Sequence, residues 1–328
     1  MITVAKLRRK PRQFQAFTGL SVDQFDQLLA QVEPTYQAER ERLRHRSGRS
    51  RPVGVGHPFT LALPERLLMG LIYLRLYVGQ SLLSYLFGLD QSNVCRELHD
   101  RLLPILLDVL PVPLRDAPLR HLAQDPPEAA PDRTTAPPGK RGRINTLEAL
   151  LRTYPEIEEV LLDATEQSVP QPQDKVERKR RYSGKQQDHT IKTQIVATRK
   201  LILHVFGGLP GSLSDQMLLG ASGVIRAVPV WVKIRIDKGY EGTDKRHPDR
   251  CVEQPVKGQR NHKVTVLGRA YNYLLSCQRI YVEHHFARLQ KFGILGGLFR
   301  GRFEEHEDVF CIVSGLLNFR AMGQFTLA

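Results

Sequence analysis

Cysteine is scarce in this chain. Its 328 residues include four cysteines, Cys95, Cys251, Cys277 and Cys311, far apart and without a C-x-x-C pair, which argues against a zinc ribbon or a dithiol redox motif. Reduced, structural thiols are expected. Cys95, followed by Leu98 and Leu102, is placed on an apolar helix face. Long hydrophobic runs are also missing: the longest, near Leu67 to Leu74, is far short of the ~20 residues that a bilayer crossing requires, so no membrane partner is expected. The basic N-terminus lacks an apolar signal core, and a cytoplasmic, nucleoid-associated protein is the expectation. There is no serine-hydrolase elbow, no Gly-Lys-Ser or Gly-Lys-Thr phosphate loop, and no HExxH pairing among the eleven histidines, so several enzyme classes lack their parts. No internal repeat is present.

What the chain does have is positive charge and enough apolar residues for real cores. Lys and Arg outnumber Asp and Glu by 48 to 34, a net charge of +14, which favours a polyanionic partner such as nucleic acid or an anionic surface. With 41% apolar residues and this length, about two domains are expected. Residues 111–146 read as a Pro-rich basic linker, with eight of the 21 prolines between 111 and 143 followed by the run Gly139-Lys140-Arg141-Gly142-Arg143. The linker separates a helical domain, 1–110, from a second domain, 147–328.

In the first domain Ser21 is placed to cap a helix beginning at Val22, and Pro64 suits the first turn of another. An arginine-rich stretch from Arg40 to Arg51 reads as a solvated loop or a backbone-binding arm between them. A helix-turn-helix is predicted near 64–108: a helix from Ser81 to Phe87, a turn at Gly88, and a second helix capped by Asp90. Val94, Leu98, Leu102 and Ile105 face the core, while Gln91, Ser92, Asn93 and Arg96 project outward where a recognition helix meets base edges. Any helical hairpin has such a polar face, so this pattern alone does not choose DNA.

Beyond the linker the periodicity becomes that of strands. Glu158 to Glu166, a hairpin of His189 to Thr198 and Leu201 to Gly207, Val230 to Asp237, and Cys251 to Val256 give a mixed five-stranded sheet. Helices near Met217 to Ala227, Tyr271 to Phe292 and Glu305 to Phe319 flank it. Asp163 ends an apolar strand core, where a charge is costly unless it is paired or bound to metal, although strand-end aspartates also serve turns. Glu166, three residues on, points to the opposite face. Asp237 repeats the situation at the end of the fourth strand. If the two strands are parallel neighbours, both carboxylates reach one edge of the sheet. Glu283 lies at the margin of the stripe Leu275, Val282, Phe286, Leu289, within reach of that edge, and an ordinary ion pair with Arg279 is the competing reading. Three acids from two strands and a helix suit a site holding two Mg²⁺ ions about 4 Å apart, the arrangement used for phosphoryl transfer.

At these residues the chain resembles the DDE-type transposases of bacterial insertion sequences, with an N-terminal helix-turn-helix and an α/β, RNase H-like (retroviral-integrase-like) catalytic domain. The likeness covers, in the family's order from about residue 158 to 295, LLDATEQ, RRYSGKQQDHTIKTQIV, ILHVFGGLPGSLSDQMLL, RIDKGYEG, QPVKG and RIYVEHHFARLQKFGIL. Carried over residue by residue, it implies Asp163, Asp237 and Glu283 as catalytic metal ligands for Mg²⁺, with Mn²⁺ as a substitute. It also implies strand cleavage and transfer on double-stranded DNA, at terminal inverted repeats and a target, by a homodimer bridging two ends. Arg279 matches the signature near the glutamate and is assigned to DNA binding. Ser276 and Gln290 stand where relatives carry Tyr and Lys, with Arg288 and Lys291 beside Gln290 as alternative phosphate contacts. The basic stretch Lys175, Arg178, Lys179, Arg180, Arg181 and Lys185 is assigned to the DNA backbone. Asp215 and His284 match family positions too, and are read as a helix cap and an outward helix residue. A related nuclease that no longer transposes, or a non-catalytic DNA-binding protein with this fold, are the alternatives.

Overall fold

Ser21 starts its helix as the sequence predicts. Its hydroxyl accepts from the Gln24 N–H at 3.2 Å while Gln24 Oε1 accepts from the Ser21 N–H at 3.1 Å, a reciprocal capping box at the head of the helix Val22–Arg44. The structure, a computed structural model, describes residues 1–45, 61–115, 144–258 and 264–323. The expected arginine loop therefore begins as helix: Arg40 to Arg44 continue the helical run, with Arg42 bound to Glu39 at 2.7 Å, and 46–51 lie outside the described residues. Most of the expected linker, 116–143, also lies outside them.

The described chain divides into two compact units. One comprises Met1–Val112, Gln167–Gln171 and His285–Ala328, the other Pro113–Glu166 and Pro172–His284. In the first, the helices Leu63–Leu76, Gln80–Phe87 and Gln91–Glu97 follow one another, with Gly88 at φ 67 ending the middle one in the left-handed conformation that glycine adopts without penalty. Asp90 occupies the N-cap position of the third, but its side chain makes no capping hydrogen bond. That helix runs on through a π turn, Leu98–Leu102, into Leu103–Val109. Pro104, without an N–H to close a regular turn, accounts for the slipped ladder. Val94, Leu98, Leu102 and Ile105 are buried as expected. Cys95 is not: it is exposed, because Val94 occupies the inward position and Cys95 stands about 100° further round the helix. Cys251 and Cys277 are exposed too, all four thiols are free, and only Cys311 is buried.

Close packing in this unit depends on Gly70, where an added Cβ would come within 2.1 Å of a Leu102 methyl. The helix His306–Gly323, expected over the sheet, instead packs on Leu103–Val109 of this unit. Its residues Val309 to Phe319 are buried on every side, so the helix suits the interior of a bundle rather than one face of a sheet.

The second unit carries the sheet. Its strands are β1 (Glu159–Ser168, entering the other unit at Gln167), β2 (Tyr182–Ser183), β3 (Asp188–Ala197), β4 (Ile202–Pro210), β5 (Lys233–Arg235) and β6 (Val252–Glu253). The order is β2-β3-β1-β5-β6 with β4 paired to β3, so the mixed sheet flanked by helices is as expected, with a sixth short strand. β3 and β4 are antiparallel, whereas β1, β5 and β6 run parallel. The fourth expected strand is shortened because Pro229 initiates a turn, its carbonyl accepting from the Val232 N–H at 3.0 Å, which leaves Val230 and Trp231 outside the ladder. Val160 and Leu162 pack with Leu147, Leu151, Val196, Ile234 and Ile236 in the core on one face.

Candidate active site

Alternation along β1 sets the first acid. With Val160 and Leu162 turned into the core, Leu161 and Asp163 point to the opposite face. β1 and β5 pair in parallel with Leu161 opposite Arg235, and Asp163 and Asp237 each stand two residues beyond that pair. The condition set by the sequence is therefore met. The two carboxylates leave neighbouring parallel strands at the same level and on the same side, at the carboxyl end of the sheet where α/β folds place their sites.

A long helix, Val266–Gln290, supplies the third component. It is tied to the start of β1 through Arg199, whose guanidinium binds Glu159 at 3.1 Å and Gln278 at 2.8 Å and lies 5.2 Å from the Tyr281 ring centroid. Nearly two turns earlier on the helix, Asn272 exchanges hydrogen bonds with the Val256 backbone at 2.8 and 2.9 Å. Held this way, Arg279 reaches both aspartates: its NH1 is 2.7 Å from Asp237 Oδ1 and its NH2 is 3.3 Å from Asp163 Oδ2. The competing reading, an ion pair of Arg279 with Glu283, gives way to a bridge between the two aspartates. Glu283 itself is exposed, one turn further along the helix.

The electrostatics are those of a crowded acidic site. Burial pushes the Asp163 carboxyl up to about 6, against the pull of the Ala164 N–H at 2.8 Å and of Arg279, and Asp237 and Asp215 push it further in the same direction. The Tyr240 hydroxyl, buried without a hydrogen-bond partner among the described residues, is held well above its usual range by burial and then by Asp163, Asp215 and Asp237. Asp215 is not the helix cap that the sequence suggested. Ser214 caps Asp215–Ser222, and Asp215 instead pairs with Lys192 Nζ at 3.1 Å, lying so close to Gly239 that a Cβ there would meet its Oδ2 at 2.5 Å. Lys192 also reaches Glu166 at 3.3 Å, and Glu166 accepts from Thr190 at 2.7 Å. Sequence reasoning missed Lys192 and Tyr240. The available signal was a lysine inside the strand Asp188–Ala197, where a buried ammonium demands acidic partners.

Residues 162–318 match the family described as DDE superfamily endonuclease, and residues 60–110 match the helix-turn-helix of DDE superfamily endonuclease. Both segments thus match models of one superfamily, the DDE endonucleases. It is also 27% identical, over 309 residues covering 94% of each chain, to the probable transposase for insertion sequence element IS702 of Microchaete diplosiphon. DDE endonucleases generally use divalent metal ions. Asp163 and Asp237 fit that requirement, being hard oxygen donors that already converge on a shared cation. Among the described residues no three His, Cys, Asp or Glu side chains form a ready-made metal set, so Glu283 is not gathered with the two aspartates.

The remaining predicted residues fall in three places. Gln91, Ser92, Asn93 and Arg96 are exposed on the second helix of the helix-turn-helix, with Arg96 bound to Asn93 at 2.9 Å. The basic stretch is partly a helix, Lys175–Arg181, capped by Asp174, whose Oδ1 accepts from the Val176 and Glu177 N–H groups at 3.0 and 2.9 Å. On it Arg180 and Arg181 each pair with Glu177 at 3.1 Å, while Lys175, Arg178 and Lys179 are exposed, as is Lys185 beyond it. Arg288 and Lys291 are exposed in the other unit, and His284 is an outward helix residue as expected. Ser276 donates to the Tyr273 carbonyl at 2.7 Å, and Gln290 is exposed. No helix among the described residues is long and apolar enough to cross a membrane.

Proposed function

We propose that the chain is a DNA transposase that performs metal-dependent strand cleavage and transfer at the terminal inverted repeats of an insertion sequence. The observation carrying this reading is the delivery of Asp163 and Asp237 to one level of the sheet edge, beside the helix that bears Glu283. These three carboxylates would hold two Mg²⁺ ions, or Mn²⁺ in their place. Divalent ions bound there supply a Lewis acid for the attacking and the leaving oxygen.

The chain's own groups do the rest of the positioning. Asp163, the deeper acid, fixes the inner side of the site, and the more exposed Asp237 faces the approaching backbone. Gln91, Ser92, Asn93 and Arg96 are suited to read base edges of double-stranded DNA, and Lys175, Arg178, Lys179 and Lys185 to hold phosphates. A homodimer would bring two element ends together.

The test is cleavage of DNA carrying the gene's own flanking sequence, with and without Mg²⁺, by wild type and Asp237→Ala. Cleavage at the element ends by wild type alone, with DNA binding kept in the variant, is the expected result. Full cleavage by Asp163→Ala, Asp237→Ala or Glu283→Ala would sink the site assignment. Binding without cleavage by wild type would leave a non-catalytic DNA-binding protein.

A further inference from the structure

Two carboxylates at one level of a sheet edge repel unless a cation stands between them. Here that cation is a side chain. Arg279 divides one guanidinium between Asp237 at 2.7 Å and Asp163 at 3.3 Å, and its Nε is buried with no hydrogen-bond partner among the described residues. The longer arm exceeds the ~2.7–2.9 Å of a good charge-assisted bond, so the fork does not saturate both acids. The ammonium of Lys192 repeats the arrangement between Glu166 and Asp215. The field of Asp215 reaches Asp163, so the four carboxylates and two cations form one neighbourhood. Two negative charges are left over there, the amount a single divalent ion would neutralise.

We propose that Arg279 is a built-in counter-ion of the Asp163–Asp237 pair that an entering divalent cation must displace, so that this arginine sets the threshold for metal binding. The proposal rests on the reading of the two aspartates as metal ligands. The guanidinium occupies the oxygens that a hard cation would take, and both cannot hold them together. An arginine is suited to this task because it keeps its charge at any working pH and grips two carboxylates at once, where a lysine offers a single ammonium. Displacement leaves a cation free beside the site, while the acids keep a positive partner in either state.

The experiment is calorimetric titration of Mn²⁺ into the full-length protein without DNA, for wild type, Arg279→Gln, Arg279→Lys and Asp237→Asn. Removing a competing unit charge a few ångströms away should tighten Mn²⁺ binding by about tenfold or more in Arg279→Gln. Arg279→Lys, still charged but on a shorter side chain without the two-pronged guanidinium, should fall between it and wild type. Thermal unfolding in chelator gives a second readout: Arg279→Gln should melt below wild type, and Mn²⁺ should close the gap. Equal or weaker Mn²⁺ affinity in both arginine variants overturns the counter-ion proposal and leaves the metal site standing, provided Asp237→Asn abolishes binding. Binding that is absent in wild type, or unchanged in Asp237→Asn, overturns both.

Discussion

A buried carboxylate between two arginines and an arginine between two carboxylates occupy the two compact units of this chain, and they are opposites in more than sign. In the helical unit Glu97 takes Arg66 and, at 2.8 Å, Arg101, while Arg66 also donates to the Leu61 carbonyl at 2.8 Å and lies 5.8 Å from the Tyr36 ring centroid. Each cation there has neighbours that fit it. In the sheet unit Arg279 faces more negative charge than it can neutralise, and Asp163 sits in an environment that resists its ionisation. One carboxylate there faces two guanidiniums, so the helical network carries an excess of positive charge. The sheet edge carries an excess of negative charge, which is what the proposed metal site would require.

The comparison breaks most readily through Glu97. Glu97→Gln should cost about 3–5 kcal/mol in urea unfolding, because it leaves the buried Arg66 without its carboxylate. Asp163→Asn should do the reverse in metal-free protein. A carboxyl raised in the folded state makes stability fall as pH rises from its unfolded value towards about 6, so the neutral side chain should hold or raise stability at pH 7, by no more than about 3 kcal/mol. A comparable loss in both variants would erase the distinction.

His306 offers a smaller contrast. Burial drives it down to about 3, with Nε2 2.9 Å from Gln167 Oε1. A histidine depressed in the folded state takes up its proton only on unfolding, so stability is intact above pH 6.5 and lost as pH falls below it. Wild type should lose about 2 kcal/mol between pH 6.5 and 5 from this group, and His306→Gln should lack that loss. The smallest effects belong to the exposed cations. Lys175→Ala and Lys179→Ala should each lower the slope of log binding constant against log salt by about 1 on DNA, and Arg180→Ala or Arg181→Ala by less, since Glu177 already holds those guanidiniums.

Where side-chain periodicity decides the outcome, the sequence was legible. The Ser21 cap, the helix-turn-helix with its inward Val94, Leu98, Leu102 and Ile105, and the β3–β4 hairpin all follow from local patterns, whereas β1 runs on past Asp163 to Ser168 and β5 stops at Arg235. What failed depended on partners distant in sequence or on a single backbone break. Arg279 has a carboxylate four residues away, yet it binds acids 42 and 116 residues away, which no helical spacing reveals. Pro229 cut short a strand whose alternation looked continuous. Asp215 was assigned to capping because Ser214 and Asp215 are both good caps by composition, and only the position of Lys192 separates them.

The two-residue offset shared by Asp163 and Asp237 has a consequence for how this fold tolerates change. Between the acids the chain runs through a helix, a hairpin and two further helices, and length gained or lost in their connections leaves the pairing of Leu161 with Arg235 untouched. A single residue inserted between Arg235 and Asp237 would instead turn the second carboxylate to the far face of the sheet. Kinship to this protein is therefore better sought by counting from paired strands than by counting residues from one aspartate to the next.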